Sequence, residues 1–200
     1  MLSREYDLKR IFGEIKQAGT CLAPASWNSC YRRRPSPDSL RIALPKTPAV
    51  LFVCLGNICR SPLAEAAFRA ALAESGLDMA VDSAGTGGWH QGEPPDRRAQ
   101  AVARRHGVEI GGYRARQVEP EDFRRFSHIV ALDRDNLANL RRLRPEGAPA
   151  ELSLLLDHVA GRRGQSVADP YYGDDAGFEV TWEEVTLGAR ALLQALAPDQ

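Results

Sequence analysis

The sequence predicts a single α/β domain in which a parallel sheet is covered by helices on both faces. Three observations carry that prediction. From Pro48 onward, short apolar runs alternate with longer stretches of helical pattern, as in repeated strand–helix units. Gly76 and Gly107 follow the first two helical stretches as stop signals. Finally, Val50-Leu51-Phe52-Val53 is apolar without alternation, as expected of a strand buried on both faces.

Taken in order, the first strand spans 49–54 and feeds a helix near 61–75 that ends at Gly76. A short strand near 80–84 leads into a glycine-rich loop, AGTGGWHQGEPPD, and then a helix near 95–106. SHIVAL at 127–132 reads as a third strand, followed by a helix near 134–143. Residues 152–156 read as the fourth strand. A long loop holding DPYYGDD then precedes a final helix over about 177–196. In sheets of this kind, ligands bind beyond the carboxyl ends of the strands, and Cys54 stands at one of those ends.

The net charge of zero hides an asymmetry. Residues 1–46 hold nine Lys/Arg against four Asp/Glu, including all three lysines, and the remainder is correspondingly acidic. That segment has one helical pattern at 4–17, several prolines and an Arg32-Arg33-Arg34 run, so we expect an irregular N-terminal extension (1–46) and a catalytic domain over 47–200. His106 reads as a structural or capping residue. The overall balance argues against nucleic-acid and membrane partners. No run approaches the ~18 apolar residues of a spanning helix, and Glu5, Asp7 and Glu14 argue against a targeting segment. Four cysteines without a CxxC pair or a His/Cys cluster point to a reducing compartment and no metal.

The chemistry centres on Cys54-Leu55-Gly56-Asn57-Ile58-Cys59-Arg60-Ser61. A strand that turns directly into a helix aims backbone N–H groups at one point, where the helix dipole adds partial positive charge. Gly56 is expected to supply the unusual backbone angles of such a cradle. Arg60 can offer a planar, two-pronged contact to phosphate oxygens. A cysteine at the base of that cradle is favoured as thiolate and can attack phosphorus in line, with Ser61 donating to the sulfur. The departing oxygen then needs a proton. Asp169 is the leading candidate, stiffened by Pro170, with Asp174 and Asp175 weaker. Tyr171, Tyr172 and Trp89 are candidate flat walls for an aromatic leaving group.

With those residues in view, V-C-L-G-N-I-C-R-S-P at 53–62 and D-P-Y-Y-G-D at 169–174 resemble the low-molecular-weight protein tyrosine phosphatases. V-D-S-A-G-T-G-G-W-H at 81–90, P-P-D-R-R-A at 94–99 and A-L-D-R-D-N at 131–136 resemble them too. The resemblance implies a three-layer sandwich on a four-stranded parallel sheet with flavodoxin-like winding. It implies cofactor-free hydrolysis of phosphotyrosine in the cytoplasm by a monomer, acting on phosphotyrosyl proteins with a tyrosine kinase as counterpart. By position it makes Cys54 the nucleophile, Arg60 the clamp and Asp169 the acid and base. Substrate-binding positions are then Leu55, Gly56, Asn57, Ile58, Cys59, Ser61, Trp89, Tyr171 and Tyr172, with Asn57 bracing the loop. Cys59 matches the family's second loop cysteine, which can form a reversible disulfide with the nucleophile. One departure stands out. Many members carry a histidine that supports the loop asparagine, and by spacing Gly112 stands near that place, so Asn57 needs another partner or the loop is less rigid.

Two rival readings share the cradle. A thioredoxin-coupled arsenate reductase needs further cysteines downstream, and none follows Cys59. A silent phosphopeptide-binding module would have lost the thiol or the acid, and both are present.

Overall fold

The computed structural model describes residues 47–197. The helical pattern at 4–17, the arginine run and the expected boundary at residue 46 lie outside the described residues. Four strands form one sheet: β1 (Ala49–Cys54), β2 (Ala80–Gly85), β3 (His128–Ala131) and β4 (Glu151–Leu154), in the order β2-β1-β3-β4 with every pair parallel. The helices are α1 (Arg60–Ser75), α2 (Arg97–Arg105), a single turn α3 (Asp122–Arg125), α4 (Arg134–Leu143) and α5 (Asp175–Leu196), with a 3₁₀ turn at Leu155–His158.

The alternation of side chains along β1 divides the core in two. Val50, Phe52 and Cys54 join Leu63, Phe68, Val102, Phe178 and Trp182 under α1, α2 and α5. Ala49, Leu51 and Val53 join Phe123, Leu137 and Leu140 under α3 and α4. Every residue of β1 is therefore buried, which is why its sequence is apolar without alternation. The same parity aims Cys54 toward the α1 side, and the end of the strand leaves it at the sheet's carboxyl edge.

Four elements differ from the sequence expectation. The fourth strand stops at Leu154, because Leu154 belongs to the α4-side core while Leu155 and Leu156 both enter the α5-side core. A pleated strand cannot send two consecutive side chains to one face, so the chain turns into 3₁₀ geometry. The second helix starts at Arg97, after Asp96, whose carboxylate caps it by accepting from Arg98 N. Asp174 likewise caps α5 and starts it at Asp175. The single turn α3 was not foreseen. No helix among the described residues is long and apolar enough to cross a membrane.

Candidate active site

The segment between β1 and α1 wraps around the Cys54 sulfur. Asn57 N–H donates to Sγ at 3.3 Å, and Ser61 Oγ lies 3.0 Å from it. Cys59 is the N-cap of α1 and offers no side-chain hydrogen bond to it, so its side chain leaves the first amides of the helix uncapped. The left-handed backbone that the cradle needs falls on Asn57, at φ 56°, and not on Gly56 as expected. Asparagine tolerates this region better than most residues because its side chain bonds locally. Gly56 serves close approach instead, since a Cβ there would lie 3.1 Å from the His90 ring. Gly85, paired with Cys54 across the sheet, is tighter still: a Cβ would come within 2.8 Å of Leu55 O.

Behind the sulfur runs a buried hydrogen-bond chain. Asn57 Nδ2 donates to Ser61 Oγ (2.9 Å) and to Ser83 Oγ (3.0 Å), and Ser83 in turn donates to Glu65 Oε2 at 2.7 Å. Arg69 Nε donates to the other Glu65 oxygen at 2.9 Å. Asn57 Oδ1 accepts from Arg116 N at 2.9 Å. Both polar atoms of the Asn57 side chain are thus satisfied, and the expected gap at Gly112 leaves no deficit there; Gly112 itself is exposed, with open space where a side chain would be. Burial pushes the Glu65 carboxyl above its ordinary value, against the lowering effect of its bonds from Ser83 and Arg69.

Arg60 is nearly fully buried and held by two carboxylates. Nη1 donates to Asp133 Oδ2 at 2.6 Å, and Nη2 to Asp169 Oδ2 at 2.7 Å. Asp133 also caps α4 through Asn136 N, so its position follows from the end of β3 and the start of that helix. Asp169 accepts a further bond from Tyr171 N at 3.1 Å, an Asx turn that folds its loop around the carboxylate.

A cavity of about 230 Å³ brings together Cys54, Arg60 and Asp169, with walls from Leu55, Ile58, Trp89 and Tyr171. Tyr172 stands at the mouth, almost wholly exposed, edge-on to the Tyr171 ring at 5.0 Å. Gly56, Cys59 and His90 complete the lining. His90, which accompanies Glu93 at 2.7 Å, was not singled out in the sequence. Asn57 and Ser61, grouped there with the substrate-binding positions, do not line the cavity. They are buried behind the sulfur, because their side chains turn inward to the network just described.

The loop that carries Asp169 is tied to the cradle from outside. Arg98 donates to the carbonyls of Tyr171 and Gly173, each at 3.0 Å, and lies over the Phe178 ring at 4.6 Å. Asp96 grips the same guanidinium at 3.1 and 3.0 Å, and Asp96 N donates to Ile58 O of the cradle at 2.8 Å. Burial works against the Asp96 anion, yet the bonds from Arg98 outweigh it and hold that carboxyl below its ordinary value. Cys54 and Cys59 are both free thiols. Burial, followed by the charges of Asp96 and Cys54, pushes the Cys59 thiol far above its ordinary value. His106 caps the end of α2, pairs with Glu179 and stacks on Trp182 at 4.9 Å, away from the cavity.

Glu65, Ser83, Asp96, Arg98 and Asp133 were given no role in the sequence. A signal existed for Asp96 and Asp133, each an aspartate placed just before a helix start. Glu65 and Ser83 carry no such local signal. Among the described residues, no group of three His, Cys, Asp or Glu side chains is arranged to hold a metal ion.

Comparison with known proteins agrees with this geometry. Residues 49–200 match the family model of low molecular weight phosphotyrosine protein phosphatases. The chain is 41% identical over 154 residues to the low molecular weight protein-tyrosine-phosphatase YfkJ of Bacillus subtilis, covering 76% of this chain and 97% of that one. The crystal structure of YfkJ superposes with a TM-score of 0.70, over 76% of this chain and 96% of that one. The human low molecular weight phosphotyrosine protein phosphatase is 40% identical over 151 residues, 74% of this chain and 95% of its own. A Drosophila structure described as an arginine phosphatase is 30% identical, with a TM-score of 0.71, covering 76% of this chain and 99% of that one. Cradle, sheet order and sequence agree, and the chain belongs to the low molecular weight phosphotyrosine protein phosphatases.

Proposed function

We propose that this phosphatase works through a cysteinyl-phosphate intermediate, with Cys54 as nucleophile, Arg60 as clamp and Asp169 as acid and base. The observation that carries the reading is the convergence of these three side chains on one cavity, with the sulfur at its base under an amide donor. An incoming phosphate competes for the Arg60 nitrogen that now holds Asp169, so binding frees the carboxyl for proton transfer. The Cys54 sulfur then forms a bond to phosphorus as the bond to the aryl oxygen breaks. The electron pair leaves on that oxygen, which takes a proton from Asp169. Water next attacks phosphorus and gives its proton back to Asp169. The sulfur–phosphorus bond breaks, the thiolate is restored and inorganic phosphate departs. Ser61 donates to the sulfur as it leaves.

The aromatic walls favour a phosphotyrosyl side chain, long enough to place its phosphate on the sulfur where a phosphoserine would stop short. Phosphotyrosyl proteins are then the partners, with a tyrosine kinase as counterpart, and two reduced cysteines in the site suit a cytoplasmic setting.

Rapid-quench reaction of the full chain with a ³²P-labelled phosphotyrosyl peptide should trap a phosphoenzyme. Cys54→Ser should abolish both the trapped species and turnover. Phosphoserine and phosphoarginine peptides serve as counter-substrates. Turnover surviving in Cys54→Ser, or either counter-substrate matching phosphotyrosine in kcat/KM, would overturn the reading.

A further inference from the structure

A second groove opens beside the catalytic cavity. Its volume is about 260 Å³, and its lining includes Leu55, Gly87, Trp89, Asn139, Arg142 and Leu143. Leu55 and Trp89 belong to both hollows and form the ridge between them. The Trp89 ring lies directly over Gly87, in space that a Cβ at Gly87 would occupy, so the ridge has a packed support.

The exposed apolar surface is distributed unevenly. Among the described residues seven large hydrophobic side chains are exposed, and five of them (Leu55, Trp89, Leu143, Tyr171 and Tyr172) surround the cavity and this groove. The other two, Val180 and Leu187, lie on α5. Exposed apolar side chains gathered beside a reaction site are the mark of a surface that meets another molecule. Arg142, in the last turn of α4, is the one charged side chain in the groove lining, and it is exposed.

We propose that this groove is a subsite for the substrate chain flanking the phosphotyrosine. It takes an apolar side chain against Leu55, Trp89 and Leu143, and an acidic one against Arg142. The inference rests on the reading of this chain as a phosphotyrosine phosphatase. The shared ridge selects the occupant: a peptide with its phosphotyrosine in the cavity crosses Leu55 and Trp89 on its way out. At about 3.3–3.6 Å per extended residue, the positions nearest the phosphotyrosine are the ones that fall into the groove. The positive rim selects the charge.

The test uses the full chain and phosphotyrosyl peptides of one length whose flanking residues are leucine and glutamate, leucine and lysine, or serine and glutamate. p-Nitrophenyl phosphate, too small to reach the groove, is the control. The native protein should favour Leu/Glu over Leu/Lys flanks by about 3–5-fold in kcat/KM, mostly in KM and less so at high salt, as expected of a solvent-exposed charge pair. Arg142→Glu should reverse that order, and Leu143→Ser should narrow the gap between Leu/Glu and Ser/Glu. Neither variant should alter p-nitrophenyl phosphate turnover. Equal rates on all peptides by the native protein, or an unchanged order in Arg142→Glu, would overturn the subsite, as would a changed control rate in that variant. Failure of the native protein on p-nitrophenyl phosphate as well would instead overturn the phosphatase reading beneath it.

Discussion

Residues 54–61 and residues 169–174 face each other across one cavity and are held in opposite ways. The cradle is supported from within: Asn57 and Ser61 are buried, and their bonds run through Ser83 to Glu65. The Asp169 loop is exposed and is held from its flanks, by Arg60 at the carboxylate and by Arg98 at two carbonyls. An anion site needs donors fixed before the ligand arrives, and burial supplies that rigidity. A group that must release one partner and meet a leaving oxygen needs a hold that can be broken. The two regions should therefore respond differently to substitution. Damage to the cradle should lower kcat/KM for every substrate, whereas damage to the loop should lower kcat/KM mainly for those with poor leaving groups.

The sharpest separation should come from Asp169→Ala. Rates on unactivated aryl phosphates should fall ~10²–10⁴-fold, with much smaller losses on p-nitrophenyl phosphate, whose leaving group hardly needs a proton. A series of substituted phenyl phosphates checks this through the slope of log kcat/KM against leaving-group pKa, since kcat also contains the hydrolysis of the phosphoenzyme, which all substrates share. Equal losses along the series would assign the proton donor elsewhere.

Asn57 tests the other region. Asn57→Gly keeps the left-handed backbone available but removes every side-chain bond, so kcat should fall about 10²-fold for all leaving groups through misplacement of the sulfur. Asn57→Ala should lose more, because it adds strain at φ 56°. A loss confined to poor leaving groups would erase the distinction between the two regions.

Arg98→Gln addresses the tie between them. The loop should lose its bonds at Tyr171 and Gly173, costing about tenfold in kcat/KM on poor leaving groups, with kcat/KM on activated esters little changed. Thermal unfolding should show the fold intact. An effect of equal size on activated esters would make Arg98 part of the cradle's support instead.

The smallest effect concerns stability far from both regions. Burial lowers the proton affinity of His128 and His158, against the raising influence of Glu151 on both and of Asp157 on His158. Each therefore binds a proton less readily in the folded chain than in the unfolded one, whose ordinary value is ~6.5. The stability from these two groups is complete above that value and is lost as pH falls toward the lower folded values. The Tm should fall more steeply between about pH 7 and 5 than that of a His128→Asn/His158→Gln variant. Parallel pH slopes in the two proteins would remove these histidines from the account.

Legibility in the sequence followed contiguity. Cys54, Arg60 and Ser61 lie within one strand–turn–helix, so the chemistry of the cradle could be argued from eight consecutive residues. Asp169 was marked by the proline after it. The choice between Gly56 and Asn57 for the left-handed position was not readable, because both residue types tolerate it and the bonds that hold Asn57 there reach Ser83 and Arg116, distant in sequence. The departure at Gly112 is visible in the sequence but its answer is not, since Asn57 bonds to a serine 26 positions away, on β2. Arg60 with Asp133, and Arg98 with Gly173, are separated by 73 and 75 positions.

The pattern of apolar runs and glycine stops was sufficient by itself for the α/β class and for most element boundaries. These features depend on interactions within a few residues, which a linear text records directly. Which carboxylates hold Arg60, what braces Asn57, how the acid loop is tied down and which apolar side chains stay exposed around the cavity were decided only by the tertiary structure. Those features arise where helices and loops from distant parts of the chain meet at the sheet's carboxyl edge. A hydrogen bond across such a gap is specified by the packing of both partners, and no local sequence pattern contains both.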